Sequence, residues 1–600
     1  EGKLGFSGYS LDAYIDTEIS FYSKNGEILI LNEVLENEPE LKNVYIKSYP
    51  GGKANIFYKG AERSLGCPSG YGDITGVSDI KVKNGEISSI RHEFKTIDGI
   101  VKKCGDSYVE LEDEGNIELD GHAEVYNTLF DVSAMNMNNV IPGNEYRFYI
   151  RSGKICAVES NTQVNPRNMR IVLSTTGFSG YFHENVEISS GSDYYVYESG
   201  GKEIKKAGES ISFDADYICS GRIYIAAADG KSPIEVRSVK KANGLSPFYY
   251  GTIEVDKTEN GYILVNETDI EEYLKGVVPS EMPASYGLEC AKVQAVAARS
   301  YAYNQYYSNR YREYGASVDD SVMCQVYNNI TAPEVSKKGV LETEGLCLTY
   351  GNTVINANFY STSSGMGANS GEVWANAGTG EFPSETREYL RSAKQFEGAL
   401  EYDLSTEEGA GIFFRDNEIE SYDKGSGWFR WRLKMPVSEL NRSIAENLPK
   451  AYERNPKLLE GSVDIGNLKD ITVLERGEGG NIMRLRLTGA KGSIVLSTEY
   501  VIRSVLVPKQ YSKGEEPVKI FCHNGIVMEN YSLLPSAFFT FDKETGEDGS
   551  LLSVSFYGGG NGHGVGLSQN GAKGMCDAGY KFDEILKSYF PGTEIKNVFK

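Results

Sequence analysis

One carboxylate, Glu281, lies between two prolines in the stretch Val277-Val278-Pro279-Ser280-Glu281-Met282-Pro283. A carboxylate held at a fixed turn beside apolar walls is partly desolvated, and desolvation raises its pKa. A carboxyl group with a pKa near neutrality can act as a general acid. The alternative interpretation is that Glu281 caps the helix that follows, and the spacing alone leaves both interpretations open.

The segment after Pro283 predicts a helix over residues 284–308. Small or apolar residues recur at positions 288, 291, 295, 298 and 302, and their alternating gaps of three and four match the helical period. Most of these residues are alanine, so the helix can approach a neighbouring backbone closely. Gln294, Arg299 and Tyr301 lie on the opposite face, next to the turn that holds Glu281.

Four further motifs follow in the chain. They are Cys324-Gln325-Val326-Tyr327, Ser361-Thr362-Ser363-Ser364-Gly365, Gly562-His563-Gly564-Val565-Gly566-Leu567-Ser568-Gln569-Asn570-Gly571-Ala572 and Tyr589-Phe590-Pro591-Gly592-Thr593. Together with residues 273–283 and 291–302, these motifs resemble the signature of the stage II sporulation protein D (SpoIID) and LytB family. The resemblance extends over more than half of the chain and keeps the order of the motifs.

The resemblance implies a peptidoglycan lytic transglycosylase with Glu281 as the general acid and base. Glu281 would protonate the glycosidic oxygen and then assist attack by the 6-hydroxyl of the sugar, which closes a 1,6-anhydro ring. A glycoside hydrolase would normally need a second positioned carboxylate. None of the matched motifs supplies one.

Substrate-binding residues around Glu281 are also implied by the resemblance: Gln294, Arg299, Gln325, Tyr327, Tyr360, Ser361, Ser364, His563 and Gln569. The amide and guanidinium groups would orient Glu281 or hold N-acetyl and hydroxyl groups of a sugar. The tyrosines would offer a stacking face or a hydroxyl, and the serines would hydrogen-bond the sugar. For each helper, the alternative is that it supports a neighbouring side chain, although a histidine between glycines is seldom a core residue.

A second hypothesis is a non-catalytic cell-wall binder. The LytB-like branch of the family is linked to enhancing a separate wall amidase, so an N-acetylmuramoyl-L-alanine amidase is the implied partner. The β-rich N-terminal region would then act as a docking module. Glu281 in its full Pro-Ser-Glu-Met-Pro setting favours the enzyme but leaves this alternative open.

The sequence predicts no metal or other cofactor. Some members of the family bind zinc through Cys and His near the Cys-Gln-Val-Tyr motif. Here Ser321-Val322-Met323 precedes Cys324 without a nearby histidine, and the five histidines of the chain are far apart. Met366 also departs from the family pattern, because a second glycine is common at this position of the serine-rich loop.

The composition excludes several classes of partner. The formal net charge of -23 provides no basic excess for nucleic acid or for an anionic membrane surface. The nine cysteines are scattered, odd in number and never spaced as CxxC, which does not indicate a disulfide framework. We expect Cys290 and Cys324, which lie within or beside family motifs, to be buried as small apolar side chains.

The expected location is outside the cytoplasm, at the bacterial cell wall. The expected substrate is the glycan strands of peptidoglycan, either with their stem peptides or after the stem peptides have been removed. No run of about 18 apolar residues is present to span a membrane. Since the chain begins at Glu1 without methionine, a preceding secretory signal or anchor is compatible with the sequence.

The predicted fold class is α+β, in several domains. Residues 1–164 read as β-rich modules with short alternating strands, and 165–600 as a mixed α/β SpoIID-like domain. Within the latter we expect a β-rich approach at 165–266, the catalytic segment at 267–375, an inserted β-rich subdomain at 376–548 and the Gly-His block at 549–600.

Several local elements are predicted around the motifs. Residues 266–270 resemble a helix start with Asn266 or Thr268 as its cap, and another helix covers residues 332–344. Strands 346–350 and 354–360 flank a Gly351-Asn352 turn. Residues 567–586 form a helix that is interrupted near Gly579.

Overall fold

A computed structural model describes residues 5–6, 14, 16–25, 27–50, 52–67, 74–198, 201–218, 221–241, 243–329, 331–514 and 516–599. These residues form several sheets together with helices, which confirms the mixed α and β class. Contacts divide the chain into two compact units. Unit 1 is Glu1–Ile270 with Gln305–Gln325, and unit 2 is Glu271–Asn304 with Val326–Lys600. The domain boundaries expected from the sequence, at 164/165 and within 165–600, stay predictions.

The described residues in the first part of unit 1 form three sheets. Their strands are β1 (Gly5–Phe6), β2 (Glu18–Lys24), β3 (Glu27–Glu36), β4 (Glu40–Ser48), β5 (Lys53–Tyr58), β6 (Ala61–Gly66), β7 (Gly76–Lys83), β8 (Glu86–Arg91), β9 (Lys95–Cys104), β10 (Tyr108–Leu111), β11 (Gly115–Asn127), β12 (Ser133–Met135), β13 (Glu145–Arg151) and β14 (Lys154–Ser160). The orders are β1-β3-β2, a closed barrel β4-β5-β6-β8-β7, and β10-β9-β13-β14-β11-β12. Closing a barrel leaves no unpaired sheet edge.

The rest of unit 1 contains two sheets, ordered β18-β17-β20-β23-β24-β15-β25 and β19-β16-β21-β22. The strands are β15 (Asn168–Leu173), β16 (Val186–Ser190), β17 (Tyr194–Glu198), β18 (Gly201–Lys205), β19 (Ser210–Phe213), β20 (Ile223–Ala227), β21 (Ile234–Val236), β22 (Phe248–Tyr249), β23 (Thr252–Thr258), β24 (Gly261–Asp269) and β25 (Val318–Asp319). Arg170 and Glu254 form a buried two-point ion pair in the larger sheet, with N–O distances of 2.8 and 2.7 Å.

Unit 2 carries most of the helices. They are α1 (Ile270–Glu281), α2 (Leu288–Ser308), α3 (Glu334–Glu342), α4 (Ser370–Val373), α5 (Glu407–Phe413), α6 (Val437–Arg454), α7 (Glu499–Val505), α8 (Gln569–Asp577) and α9 (Phe582–Tyr589). Ile270, the first residue of α1, is assigned to unit 1. Residues 305–308, the last turn of α2, are also assigned to unit 1.

The sheets of unit 2 are ordered β27-β26-β39, β28-β38, β35-β34-β29-β37-β36 and β30-β33-β32-β31. Their strands are β26 (Leu346–Tyr350), β27 (Thr353–Val354), β28 (Phe359–Tyr360), β29 (Trp431–Pro436), β30 (Leu459–Gly461), β31 (Leu468–Arg476), β32 (Ile482–Gly489), β33 (Ser493–Ser497), β34 (Lys519–Cys522), β35 (Val527–Glu529), β36 (Phe539–Thr545), β37 (Leu551–Gly558), β38 (Leu567–Ser568) and β39 (Glu594–Asn597).

Hydrophobic clusters stabilise unit 2. One contains Val293 and Val296 of α2 together with Ala572 of α8 and Ile585 of α9. Another joins the two larger sheets to α6 and α7 and includes the buried Trp431. The alanine stripe of α2 is buried as its pattern predicts, and Ala295, Ala298 and Ala302 are all fully buried.

The start of α1 differs from its prediction. Asn266 and Thr268 lie in β24 rather than at the helix cap, and the helix begins at Ile270. The Asn266 amide donates to the carbonyl oxygens of Tyr250 and Thr252, at 2.9 and 3.3 Å. Strand pairing with β15 and β23 therefore outweighs the capping preference of these residues.

Glu281 is the last residue of α1, not part of a free turn. The predicted helix at 284–308 is split into a short 3-10 turn, Ala284–Tyr286, and α2 from Leu288. Gly287 separates them with a φ of +92°, a conformation that L side chains rarely adopt.

The remaining local predictions hold in part. Helix α3 lies within the predicted 332–344, and strands β26 and β27 form the predicted hairpin. The predicted strand 354–360 is broken, because its end, β28, pairs in parallel with β38 instead. The C-terminal helix is interrupted near Gly579 as predicted, but it begins at Gln569 rather than at Leu567.

Candidate functional site

The C-terminus of α1 places Glu281 beside the Cys-Gln-Val-Tyr motif. The backbone N–H of Val326 donates to Glu281 Oε1 at 2.6 Å, and the amide of Gln569 lies 3.5 Å from Oε2. The residue keeps partial access to solvent, while its carboxyl group is surrounded by protein atoms. Burial raises the pKa of Glu281 to about 7, and the two hydrogen bonds only partly oppose this.

Helix α8 brings Gln569 to this carboxyl group from the opposite end of the sequence. The Gln569 amide also donates to Gln294 Oε1 on α2, at 3.3 Å. The Nε2 atom of Gln294 is buried without a hydrogen-bond partner among the described residues. Gln294 and Gln569 are therefore brought together with Glu281, as the resemblance implies.

The segment after Cys324 is bonded to the end of α1. The Asn328 N–H donates to Ser280 Oγ at 3.1 Å, and the Ser280 hydroxyl donates to Gly276 O at 2.6 Å. A Cβ atom at Gly276 would lie 2.4 Å from a ring carbon of Tyr327. Glycine at this position therefore lets the segment approach α1 closely enough to reach Glu281.

Two predicted substrate contacts, Tyr327 and Gln325, are buried. Tyr327 is 1% exposed, and its ring lies 4.9 Å from that of Tyr273. Its ring therefore packs in the interior and does not offer an open stacking face. Gln325, which belongs to unit 1, is also fully buried.

Arg299 has a different place from the one predicted. It is fully buried and forms a two-point ion pair with Glu271, with N–O distances of 2.8 and 2.6 Å. It also donates to Leu346 O at 3.0 Å. Because these bonds join α1, α2 and the start of β26, Arg299 supports the scaffold rather than presenting its charge to a substrate.

The serine-rich loop divides into an accessible and a buried part. Ser361 is partly exposed, and its carbonyl oxygen accepts a bond of 2.9 Å from the Asn570 amide. Ser364 is buried, and its carbonyl oxygen accepts a bond of 2.7 Å from Arg430. Tyr360 is also buried, at 5% exposure. Of these residues, Ser361 alone keeps the accessibility that sugar binding requires.

Both ring nitrogens of His563 form hydrogen bonds to the backbone. The Val565 N–H donates to Nδ1 at 3.1 Å, so Nε2 carries the proton and donates to Phe359 O at 3.0 Å. The ring packs against Tyr360 and Trp374, with centroids 5.4 and 5.1 Å apart. Burial lowers the pKa of His563 to about 4, so it is neutral at neutral pH.

Asp423 is a functional candidate that the motifs do not contain. Its Oδ1 accepts a 2.8 Å bond from the Ser363 N–H and a bond from the Ser568 hydroxyl, which links the serine-rich loop to the cap of α8. Burial raises the pKa of Asp423 to about 7. The residue lies in the irregular region 376–548, where no local pattern marks it.

Around Glu281, the site combines a protonatable carboxyl group with the neutral hydrogen-bond donors Val326 N–H and Gln569. No ion pair involves Glu281 in the part of the chain that the structure describes. Within the same ranges, no cluster of three or more His, Cys, Asp or Glu side chains could hold a metal ion. Such a carboxyl group can both give up and take up a proton near neutral pH.

Comparison with known proteins gives two family matches. The model of the stage II sporulation protein family matches residues 258–350, which include α1, α2 and β26. A domain of unknown function matches residues 379–514, within the region predicted to be an insertion.

Individual relatives are distant. The chain is 28% identical over 325 residues to the amidase enhancer of Bacillus subtilis (strain 168), covering 54% of this chain and 40% of that protein. It is 27% identical over 345 residues to stage II sporulation protein D of the same organism, covering 55% of this chain and 75% of that protein. The chain thus spans less than half of the first relative. These matches confirm the resemblance to the SpoIID/LytB family.

Proposed function

We propose that this chain is a peptidoglycan lytic transglycosylase that acts outside the cytoplasm on the glycan strands of the bacterial cell wall. The observation that carries the proposal is the position of the Glu281 carboxyl group, enclosed by protein atoms and bonded to the Val326 N–H and the Gln569 amide, which are neutral donors. Burial there raises its pKa to about 7. The similarity to a stage II sporulation protein and to an amidase enhancer supports a role at the cell wall.

The first step uses the protonated form of Glu281. Its proton passes to the oxygen between N-acetylmuramic acid and N-acetylglucosamine while the bond from this oxygen to the anomeric carbon breaks. The N-acetylglucosamine side leaves as an alcohol, and positive charge develops at the anomeric carbon of N-acetylmuramic acid. A positioned general acid typically contributes about 10²–10⁴-fold to such a step.

The second step uses the carboxylate formed in the first. Glu281 removes the proton from the 6-hydroxyl of N-acetylmuramic acid, and O6 forms a bond to the anomeric carbon. The product is a 1,6-anhydro sugar, and Glu281 regains its proton. Because the nucleophile belongs to the substrate, this sequence needs no second carboxylate, in contrast to an ordinary hydrolase.

The neighbours of Glu281 would prepare this chemistry. The Val326 N–H and the Gln569 amide stabilise the carboxylate between the two steps. Ser361 would hydrogen-bond the sugar, since it is partly exposed. We assign Arg299, Tyr327, Tyr360, Ser364 and His563 to support of the site, because they are packed or bonded within it.

The test is digestion of glycan strands stripped of their stem peptides, followed by mass spectrometry of the products. We expect 1,6-anhydro ends with the wild type and their loss with Glu281→Gln. Glu272→Gln is the matched control, since Glu272 lies on the same helix but bonds Lys275 at the surface. Equal anhydro product from Glu281→Gln and the wild type would overturn the proposal.

The second candidate is a non-catalytic enhancer of a wall amidase, which the similarity to the amidase enhancer favours. In this case the chain would bind glycan strands and present a wall to an N-acetylmuramoyl-L-alanine amidase. A purified amidase then cleaves walls faster in the presence of the chain, and equally so with Glu281→Gln. Absence of anhydro products together with this acceleration would support the enhancer instead of the transglycosylase.

A further inference from the structure

Two cysteines from distant parts of unit 2 are in direct contact. Cys290 lies in the first turn of α2, and Cys576 lies near the end of α8. Their sulfur atoms are 2.7 Å apart. A disulfide bond is about 2.05 Å long, so the contact differs from a bonded pair by a small movement of the two side chains.

The other cysteines in the described part of the chain are placed differently. Cys104 and Cys156 donate to the carbonyl oxygens of Val140 and Lys154. Cys347 is fully buried. Cys219 lies outside the described residues. Cys290 and Cys324 are the two cysteines expected to be buried as small apolar side chains. Cys290 is buried but faces a second thiol, and Cys324 is half-buried.

We propose that Cys290 and Cys576 form a reversible disulfide that joins helices α2 and α8. The oxidant is a small-molecule disulfide or the disulfide of a thiol–disulfide oxidoreductase. A Cys576 thiolate attacks one sulfur of this disulfide and releases a thiol, which leaves a mixed disulfide at Cys576. The Cys290 sulfur then attacks Cys576 and releases the second thiol. The two cysteines lose two electrons and two protons, and the oxidant gains them as two thiols.

The surroundings fit this order of events. Cys576 is half-buried and Cys290 is fully buried, so an external disulfide meets Cys576 first. Donation from the Cys290 thiol lowers the pKa of Cys576, and the nearby Lys573 ammonium acts in the same direction. Attack by a thiolate and its resolution by a neighbouring thiol is the usual course of disulfide exchange.

The bond would connect the two helices that hold the glutamine pair of the site. Gln294 follows Cys290 by four residues, about one turn of α2, and Gln569 precedes Cys576 by seven, about two turns of α8. The Gln294–Gln569 contact lies on the same interface as the two thiols. Oxidation would therefore fix the separation of α2 and α8 beside Glu281.

Mass spectrometry of the wild type tests the proposal directly. The protein is incubated with oxidised glutathione, denatured with N-ethylmaleimide and digested without reductant. We expect a linked peptide pair containing Cys290 and Cys576, while Cys347 carries the maleimide. Maleimide on both Cys290 and Cys576, or glutathione that stays on Cys576, would overturn the proposal. This result does not depend on the proposed function.

Thermal unfolding supplies a second measurement. The oxidised wild type should unfold at a higher temperature than the reduced form, because a cross-link between distant residues restricts the unfolded chain. We expect Cys576→Ser to remove this difference and Cys347→Ser to retain it. An equal difference in Cys576→Ser and the wild type would contradict the assignment. If a variant fails to fold, the linked peptide of the wild type still decides.

Discussion

Arg299 and Glu271 form an ion pair in the interior of unit 2, with both carboxylate oxygens bonded to the guanidinium group at 2.8 and 2.6 Å. Glu271 Oε1 also accepts a bond of 3.1 Å from the Gly345 N–H. The pair fixes the first turn of α1 to α2, and therefore fixes the direction in which α1 carries Glu281. This relationship makes Arg299 a determinant of stability first.

Arg299→Ala should lower the free energy of unfolding by about 3–5 kcal/mol, because it leaves Glu271 buried without its counter-charge. Urea denaturation measures this. The control is Arg391→Ala, since Arg391 pairs with Glu388 at the surface and should contribute about 1 kcal/mol or less. A stable Arg299→Ala variant that no longer binds glycan strands would instead indicate direct substrate contact.

The proposed transglycosylase activity should fall as the pH rises through about 7. Glu281 must be protonated to act as the general acid, and its pKa of about 7 sets the alkaline limb of kcat/KM. The rate of anhydro-product formation between pH 5 and pH 9 measures this. The control variant Glu272→Gln should show the same alkaline limb of kcat/KM as the wild type. Activity that increases throughout this range would contradict the role of Glu281 as an acid.

Gln569→Leu should raise the pKa of Glu281 further. The Gln569 amide is one of the two donors that stabilise the carboxylate, and leucine cannot donate a hydrogen bond. Proton uptake is titrated for Gln569→Leu and for the double variant Gln569→Leu/Glu281→Gln. The difference between the two titrations gives the pKa of Glu281 without an activity assay. An unchanged or lower pKa would show that the Gln569 contact at 3.5 Å does not stabilise the charge.

Asp423→Asn should make the stability less dependent on pH. The pKa of Asp423 is about 7 in the folded chain and 3.8 in its ordinary state, so folding takes up a proton between these values. Stability from this group is therefore present below about pH 4 and is lost as the pH rises to about 7, by a few kcal/mol. Urea denaturation from pH 4 to pH 8 should show a smaller decline for Asp423→Asn. An equal decline in both proteins would contradict the raised pKa.

Gly276→Ala should destabilise the chain by about 1–3 kcal/mol, because the added methyl group would overlap the ring of Tyr327 at 2.4 Å. Moving this ring also moves the Val326 N–H away from Glu281. The control is Gly425→Ala, since a Cβ atom at Gly425 has no atom within 4 Å. Equal unfolding free energies for the two variants would show that Tyr327 adjusts without cost.

The motifs name Glu281, Gln294 and Gln569, and Gln569 contacts both of the others in the structure. Their catalytic and substrate-binding roles stay predictions. Their common position follows from the contact of α2 with α8, where Cys290 meets Cys576 and the Gln569 amide donates to Gln294. The alanine stripe of α2 does not indicate this contact, since Ala291 lies against Gly339 of α3. The place of Arg299 could not be predicted in this way. Its partner Glu271 is 28 residues away on another helix. A helical pattern does not show whether Arg299 pairs with Glu271 or with Glu272.

Two further differences have similar causes. Asparagine is a common helix N-cap residue, but the Asn266 side-chain amide donates to the carbonyl oxygen of Tyr250. A local sequence pattern does not reveal such strand pairing, because the partners are distant in the sequence. Asp423 contacts Ser363 and Ser568, which are 60 and 145 residues distant. Local periodicity gives the elements, but the contacts between remote segments decide the role of each polar side chain.

The contact between Glu281 and Gln569 spans 288 residues. During synthesis, the carboxyl group therefore emerges long before the helix that covers it. Until residue 569 has been made, the Glu281 carboxylate lacks the hydrogen bond from Gln569, one of the two that oppose the rise of its pKa. The order of translation thus delays the maturation of this group until the C-terminal block is in place.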